Sequence, residues 1–145
     1  MAKKKSVEDT DMLVSALEDW MVLEDETIKH AETTLKKTKN KLVKMTMEMI
    51  KNDSQKHKAM QKLLIDSLAK EALVLTPDDL VDLSDGLNKH LAAEAKTLEI
   101  ADAALNNSKL FVTRYILSYL IADEQKHHAL LAKLNELKRA TMFVS

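Results

Sequence analysis

Residues 53–58 read Asp-Ser-Gln-Lys-His-Lys (DSQKHK), and residues 123–128 read Asp-Glu-Gln-Lys-His-His (DEQKHH), 70 positions further on. Asp, Gln, Lys and His keep their order, while Ser54 becomes Glu124. Sliding the whole chain by the same interval extends the match, as a search for internal repeats should test. Leu13 meets Leu83, Leu17 meets Leu87, Glu24 meets Glu94, Thr27 meets Thr97, Ala31 meets Ala101 and Leu35 meets Leu105. Beside the hexamers, Ala59 meets Ala129 and Leu64 meets Leu134 without a gap. The sequence therefore reads as two copies of one unit, related by a pseudo-twofold axis.

The unit is a helical hairpin. Leu13, Leu17, Trp20, Thr27, Ile28, Ala31 and Leu35 recur at helical spacing behind Ser6, a residue suited to an N-cap, which predicts a helix over about 7–37. The polar stretch KKTKNK breaks the pattern, and Leu42, Met45, Met49, Ile50, Met60 and Leu64 resume it to about residue 70. The single Pro and single Gly both fall in LVLTPDDLVDLSDG, where Thr76 and Pro77 predict the start of a short helical turn. A third helix then carries Leu87, Leu91, Leu98, Ala101 and Leu105; Asn106, Asn107 and Ser108 turn the chain; a fourth helix runs over about 110–139. The expected architecture is all-α: one domain, 1–145, a four-helix bundle of hairpin 7–70, crossover 71–85 and hairpin 86–140.

Composition agrees. Of 145 residues, 46% are hydrophobic but only 3% aromatic, a balance that favours helices over strands. A chain of this length buries roughly 68–70% of its unfolded surface, enough for a core. The formal net charge of −1 provides no basic field for nucleic acid or an anionic membrane, so neither is expected as a partner. The lysines of AKKKS and KKTKNK read as a solvated tail and a hairpin tip. Cysteine is absent, which excludes disulfides and thiolate metal sites. No apolar run approaches membrane-spanning length and no apolar segment follows the basic start, so a cytoplasmic protein is expected. The eight methionines, clustered in KMTMEMI, read as core filler at helical spacing.

Within this pattern several polar residues share the apolar face. Glu24 continues the row Leu13, Leu17, Trp20, and Glu94 continues Leu87 and Leu91. His57 falls between Ile50 and Met60, His127 between Leu120 and Leu131, with Asp53, Asp123 and Glu124 on or beside that face. Counted from the hairpin tips at about 1.5 Å per residue, the glutamates and histidines lie within roughly 8 Å of one level. Buried carboxylates aimed at one point require pairing, protonation or a cation. A Glu from each of two helices with Glu-x-x-His from the others is the recipe of a dinuclear carboxylate site.

With Glu124 and His127 as Glu-x-x-His, Asp123 ahead of them, and Glu24 and Glu94 each 30 positions before the second-helix motif, the chain resembles the ferritin-like superfamily, especially rubrerythrin and bacterioferritin. The resemblance implies that Glu24 and Glu94 are terminal carboxylate ligands, His57 and His127 imidazole ligands, and Glu124 a bridging carboxylate. It implies that Asp53 and Asp123 accept hydrogen bonds from the non-ligating nitrogens of His127 and His57, fixing ring direction. It also implies iron as cofactor, dinuclear or mononuclear, with manganese or zinc as alternatives. Fe(II) oxidation or other oxygen- or peroxide-linked redox activity would follow, with a separate electron donor and a homo-oligomer, a dimer before a cage.

Ser54 departs from the family pattern. It stands where a second bridging Glu belongs, and a hydroxyl is a poor ligand for a hard divalent cation. Two divalent ions carry +4, whereas Glu24, Glu94 and Glu124 supply −3; Asp53 is the nearest replacement. The alternatives are therefore a mononuclear site on Glu94, Glu124 and His127, or a helical scaffold without a working centre. Trp20 lies one turn from Glu24 and His90 one turn from Glu94, where His90 is either an extra ligand or a half-exposed bystander.

Overall fold

The computed structural model describes the backbone of residues 2–73 and 76–143 and the side chains of residues 9–73, 76, 78, 79 and 86–136. Four helices account for nearly all of it: α1 (Ala2–Lys37), α2 (Lys41–Ala69), α3 (Pro77–Asn107) and α4 (Phe111–Phe143). The chain divides into two compact units, Met1–Val74 and Leu75–Ser145. In the first α1 packs on α2, and in the second α3 packs on α4. The fold is all-α, as expected, and each unit is one helical hairpin. Among the described residues no helix is long and apolar enough to cross a membrane.

The 70-residue repeat is visible in the backbone. Helix α1 ends at Lys37 and α2 starts at Lys41; 70 positions later α3 ends at Asn107 and α4 starts at Phe111. Thr27 Oγ1 donates to Leu23 O and Thr97 Oγ1 to Ala93 O, each at 3.0 Å. In the first hairpin Lys51 pairs with Glu32 at 3.4 Å, His57 with Glu24 at 3.1 Å, and Lys58 with Asp25. From Lys51 to His57 on α2 the partner on α1 moves back from Glu32 to Glu24, the signature of an antiparallel pair.

Each hairpin has a narrow buried seam. Leu17, Glu24 and Ala31 are buried on α1, Ser54 and Gln61 on α2, Leu87 and Glu94 on α3, and Ile121 on α4. Within a helix these residues recur every seven positions, the spacing that keeps one stripe facing a partner helix. Two helices cover only the seam between them, so residues expected in the core beside it are exposed. Leu13, Trp20, Ile50, Met60, Leu64 and Leu120 all belong to this group.

The turns differ between copies. In the first, Lys36 and Lys37 sit at the carbonyl end of α1, where the helix dipole favours cations. Asn40 caps α2, its Oδ1 accepting from Leu42 N at 2.9 Å and Val43 N at 3.2 Å. Leu110 occupies the matching place in the second and offers no side-chain acceptor. Arg114 instead spans the turn, its Nη1 donating to Leu105 O at 2.7 Å and Ser108 O at 2.9 Å.

Three boundaries depart from the sequence reading. Helix α1 starts at Ala2, so Ser6 lies inside the helix and does not cap it; its side chain lies outside the described residues. Helix α4 continues to Phe143. The segment from Pro77 is no short turn but the start of α3, which shortens the expected 71–85 crossover to residues 70–76. Thr76 forms a complete capping box: Asp79 N donates to Thr76 Oγ1 at 3.2 Å, and Thr76 N donates to Asp79 Oδ2 at 3.0 Å. That backbone bond, helped by the Thr76 side chain, holds the Asp79 carboxyl below its ordinary value of 3.8. A helix so firmly started continues through Gly86, whose cost there is only about 1 kcal/mol relative to Ala.

Candidate metal centre

Glu94 lies on the α3 seam, one heptad after Leu87, and only 9% of it is exposed. On α4, Glu124 and His127 are three residues apart and thus share a helix face. Glu94, Glu124 and His127 each present a ligand-type atom, and these atoms lie within 4.8 Å of one another. His127 Nδ1 is 3.9 Å from Glu94 Oε1, and His90 Nε2 approaches the same oxygen to 3.4 Å from one turn earlier on α3.

The electrostatics of this group are unbalanced. Glu94 Oε2 is shielded from solvent and meets no hydrogen-bond donor. The neighbouring Glu124 carboxyl can bond to Glu94 only by keeping a proton, and this shared bond is the main reason its pKa is raised above 4.5. Loss of solvent and the Glu94 charge push in the same direction, as does Asp123, while His127 opposes them. A divalent cation would take the place of that proton, balancing two carboxylates with an imidazole as a neutral ligand.

The first hairpin assembles the matching pair differently. Glu24 is buried at the same seam position, and His57 Nδ1 reaches its Oε1 at 3.1 Å. Ser54, 5% exposed, fills the place that matches Glu124, so Glu24 faces no second carboxylate from that position. Here one carboxylate meets one imidazole, with no second carboxylate from the Ser54 position. Both histidines expected on the inner face are in fact half exposed: 50% of the His57 side chain and 46% of that of His127. They sit at the edge of the seam, where the ring nitrogen reaches inward past the helix surface.

The structure thus brings together Glu94, Glu124 and His127 in one hairpin and Glu24 and His57 in the other. Asp53 is half-buried. Asp123 forms an ion pair with Lys126 on its own helix at 3.1 Å and adds negative charge beside Glu124.

Two features escaped the sequence reading. Lys58 pairs with Asp25 across the helices. Its repeat mate His128 is half-buried with Nδ1 shielded and unpartnered, because the position matching Asp25 holds Ala95. Gln61 is buried with a shielded, unpartnered Oε1. The signal for Gln61 was its place seven residues after Ser54; the Lys58 pairing needed the inter-helix register.

No family model matches the chain, and no curated protein or solved structure matches it either.

Proposed function

We propose that this chain is a metal-binding protein of ferritin-like type whose working site lies in the second hairpin, on Glu94, Glu124 and His127. One observation carries the reading: a buried carboxylate with an unpartnered oxygen sits within ligand distance of a second carboxylate and an imidazole from the facing helix. Two carboxylates neutralise one divalent cation, and carboxylate with imidazole suits iron, manganese or zinc. Iron is the first choice because the Glu-x-x-His pattern and the paired lone glutamates resemble rubrerythrin and bacterioferritin. Bound iron would supply Fe(II)/Fe(III) redox chemistry towards oxygen or peroxide, fed by a separate electron donor since the chain holds no cysteine. A homodimer and a cytoplasmic setting belong to the same reading.

A second reading is the dinuclear centre that the resemblance implies, with Asp53 as the fourth carboxylate in place of Ser54. A scaffold without metal is the third reading, and Ser54 is the residue that favours it. Anaerobic loading with Fe(II), followed by metal analysis and oxygen uptake, separates the three. One iron per chain supports the first reading and two support the second. No iron at near-stoichiometric protein contradicts both.

A further inference from the structure

Two of the residues around Glu94 differ from their counterparts around Glu24, and both differences point the same way. Glu124 replaces Ser54 on the second helix of the hairpin, and His90 replaces Trp20 on the first. Trp20 lines a largely apolar groove of about 500 Å³ with Leu17, Met60 and Leu64, to which His57 and Gln61 also contribute; the indole itself offers no metal-ligating atom. His90 instead directs Nε2 at Glu94 Oε1, 3.4 Å away, the same oxygen that His127 approaches.

We infer that His90 is the fourth protein ligand of the second-hairpin site, which makes that site complete within α3 and α4. The inference rests on the metal-binding reading above and adds to it. Residues four apart on a helix stand one above the other, so His90 and Glu94 can grip one ion from the same side, while Glu124 and His127 grip it from α4. The His90 side chain is 60% exposed, so its ring can turn the remaining distance towards an ion without disturbing packed neighbours. Two imidazoles and two carboxylates give a four-ligand set whose charge of −2 balances a divalent cation, suited to tetrahedral coordination.

Cobalt(II) is the probe, because its visible absorption reports the ligand set. The full chain should bind one Co(II) with a visible band. His90→Ala should weaken binding about tenfold or more and shift that band, since even outer partners of metal ligands are worth 10–100-fold. His90→Gln, which retains size and helix preference, should do the same, and far-UV circular dichroism should show both variants fully helical. Unchanged affinity and an unchanged band in both variants would overturn the role of His90 while leaving the metal site standing. Absence of Co(II) binding by the natural chain would overturn the site and His90 together.

Discussion

Glu24 and Glu94 occupy the same seam position of two hairpins built to one plan, and their surroundings give them different chemistry. Around Glu24 are His57 at 3.1 Å, the small neutral Ser54 and an apolar groove beginning at Trp20. Around Glu94 are a second carboxylate, His127 and His90, with one oxygen shielded and unpartnered. The first glutamate meets one imidazole; the second faces another carboxylate as well. A repeat preserves geometry more readily than chemistry, because the seam requires only that a side chain fit, whereas coordination requires particular atoms.

The seam supplies the largest stability effects, and the two copies should respond alike. Leu17→Ala and Leu87→Ala each delete a buried side chain and should cost about 2–5 kcal/mol in urea unfolding. If only one of them destabilises the chain, the equivalence of the hairpins fails.

The copies should separate when their polar centres are changed. Glu124→Gln removes the carboxylate whose pKa is raised in the metal-free chain, chiefly by its hydrogen bond to Glu94 and further by loss of solvent and the Glu94 charge. In the folded state such a group holds its proton above the unfolded value, so its contribution to stability falls as pH rises from about 4.5 through the folded pKa. Near neutrality Glu124→Gln should therefore raise the melting temperature of the metal-free protein while abolishing the gain produced by metal. Conversely, Trp20→His with Ser54→Glu writes the second centre into the first hairpin. Its metal-to-chain ratio should rise from one to two, measured by equilibrium dialysis; a ratio still at one would show that more than these two letters distinguishes the copies.

The helix ends give smaller effects. Asn40→Ala removes the cap of α2 and should cost about 1 kcal/mol, whereas Leu110→Ala at the matching position should cost much less because Arg114 closes that turn. Asp79, whose pKa is lowered, contributes stability that is present above its ordinary value of 3.8 and lost as pH falls through the folded value. Asp79→Ala should thus flatten the acid limb of the stability profile, and α3 is the helix whose amide exchange should report it.

Much of this was legible in the sequence. Period and repeat placed the helices, their pairing and the glutamates at seam positions, because burial of a stripe follows directly from heptad spacing. Glu-x-x-His identified the residues that meet Glu94. Harder to read was the width of the seam: periodicity marks an apolar face but not how much of it one partner helix covers, so Trp20, Met60 and Leu64 are exposed and His57 and His127 sit at the edge. Pro77 with Gly86 close behind reads as a short turn, yet one glycine costs less than the capping box and thirty-one-residue helix gain. Pairings such as Lys58 with Asp25 depend on register between helices, which no single helix encodes.

The central claim is that the second hairpin carries a metal site that the first does not. Fe(II) binding under anaerobic conditions should be compared for the natural chain, Glu24→Gln and Glu94→Gln. The account predicts one ion per chain, retained by Glu24→Gln and weakened at least ~100-fold by Glu94→Gln, at or beyond the upper end of the range for outer partners. Equal loss in the two variants, or retention of iron by Glu94→Gln, would contradict it.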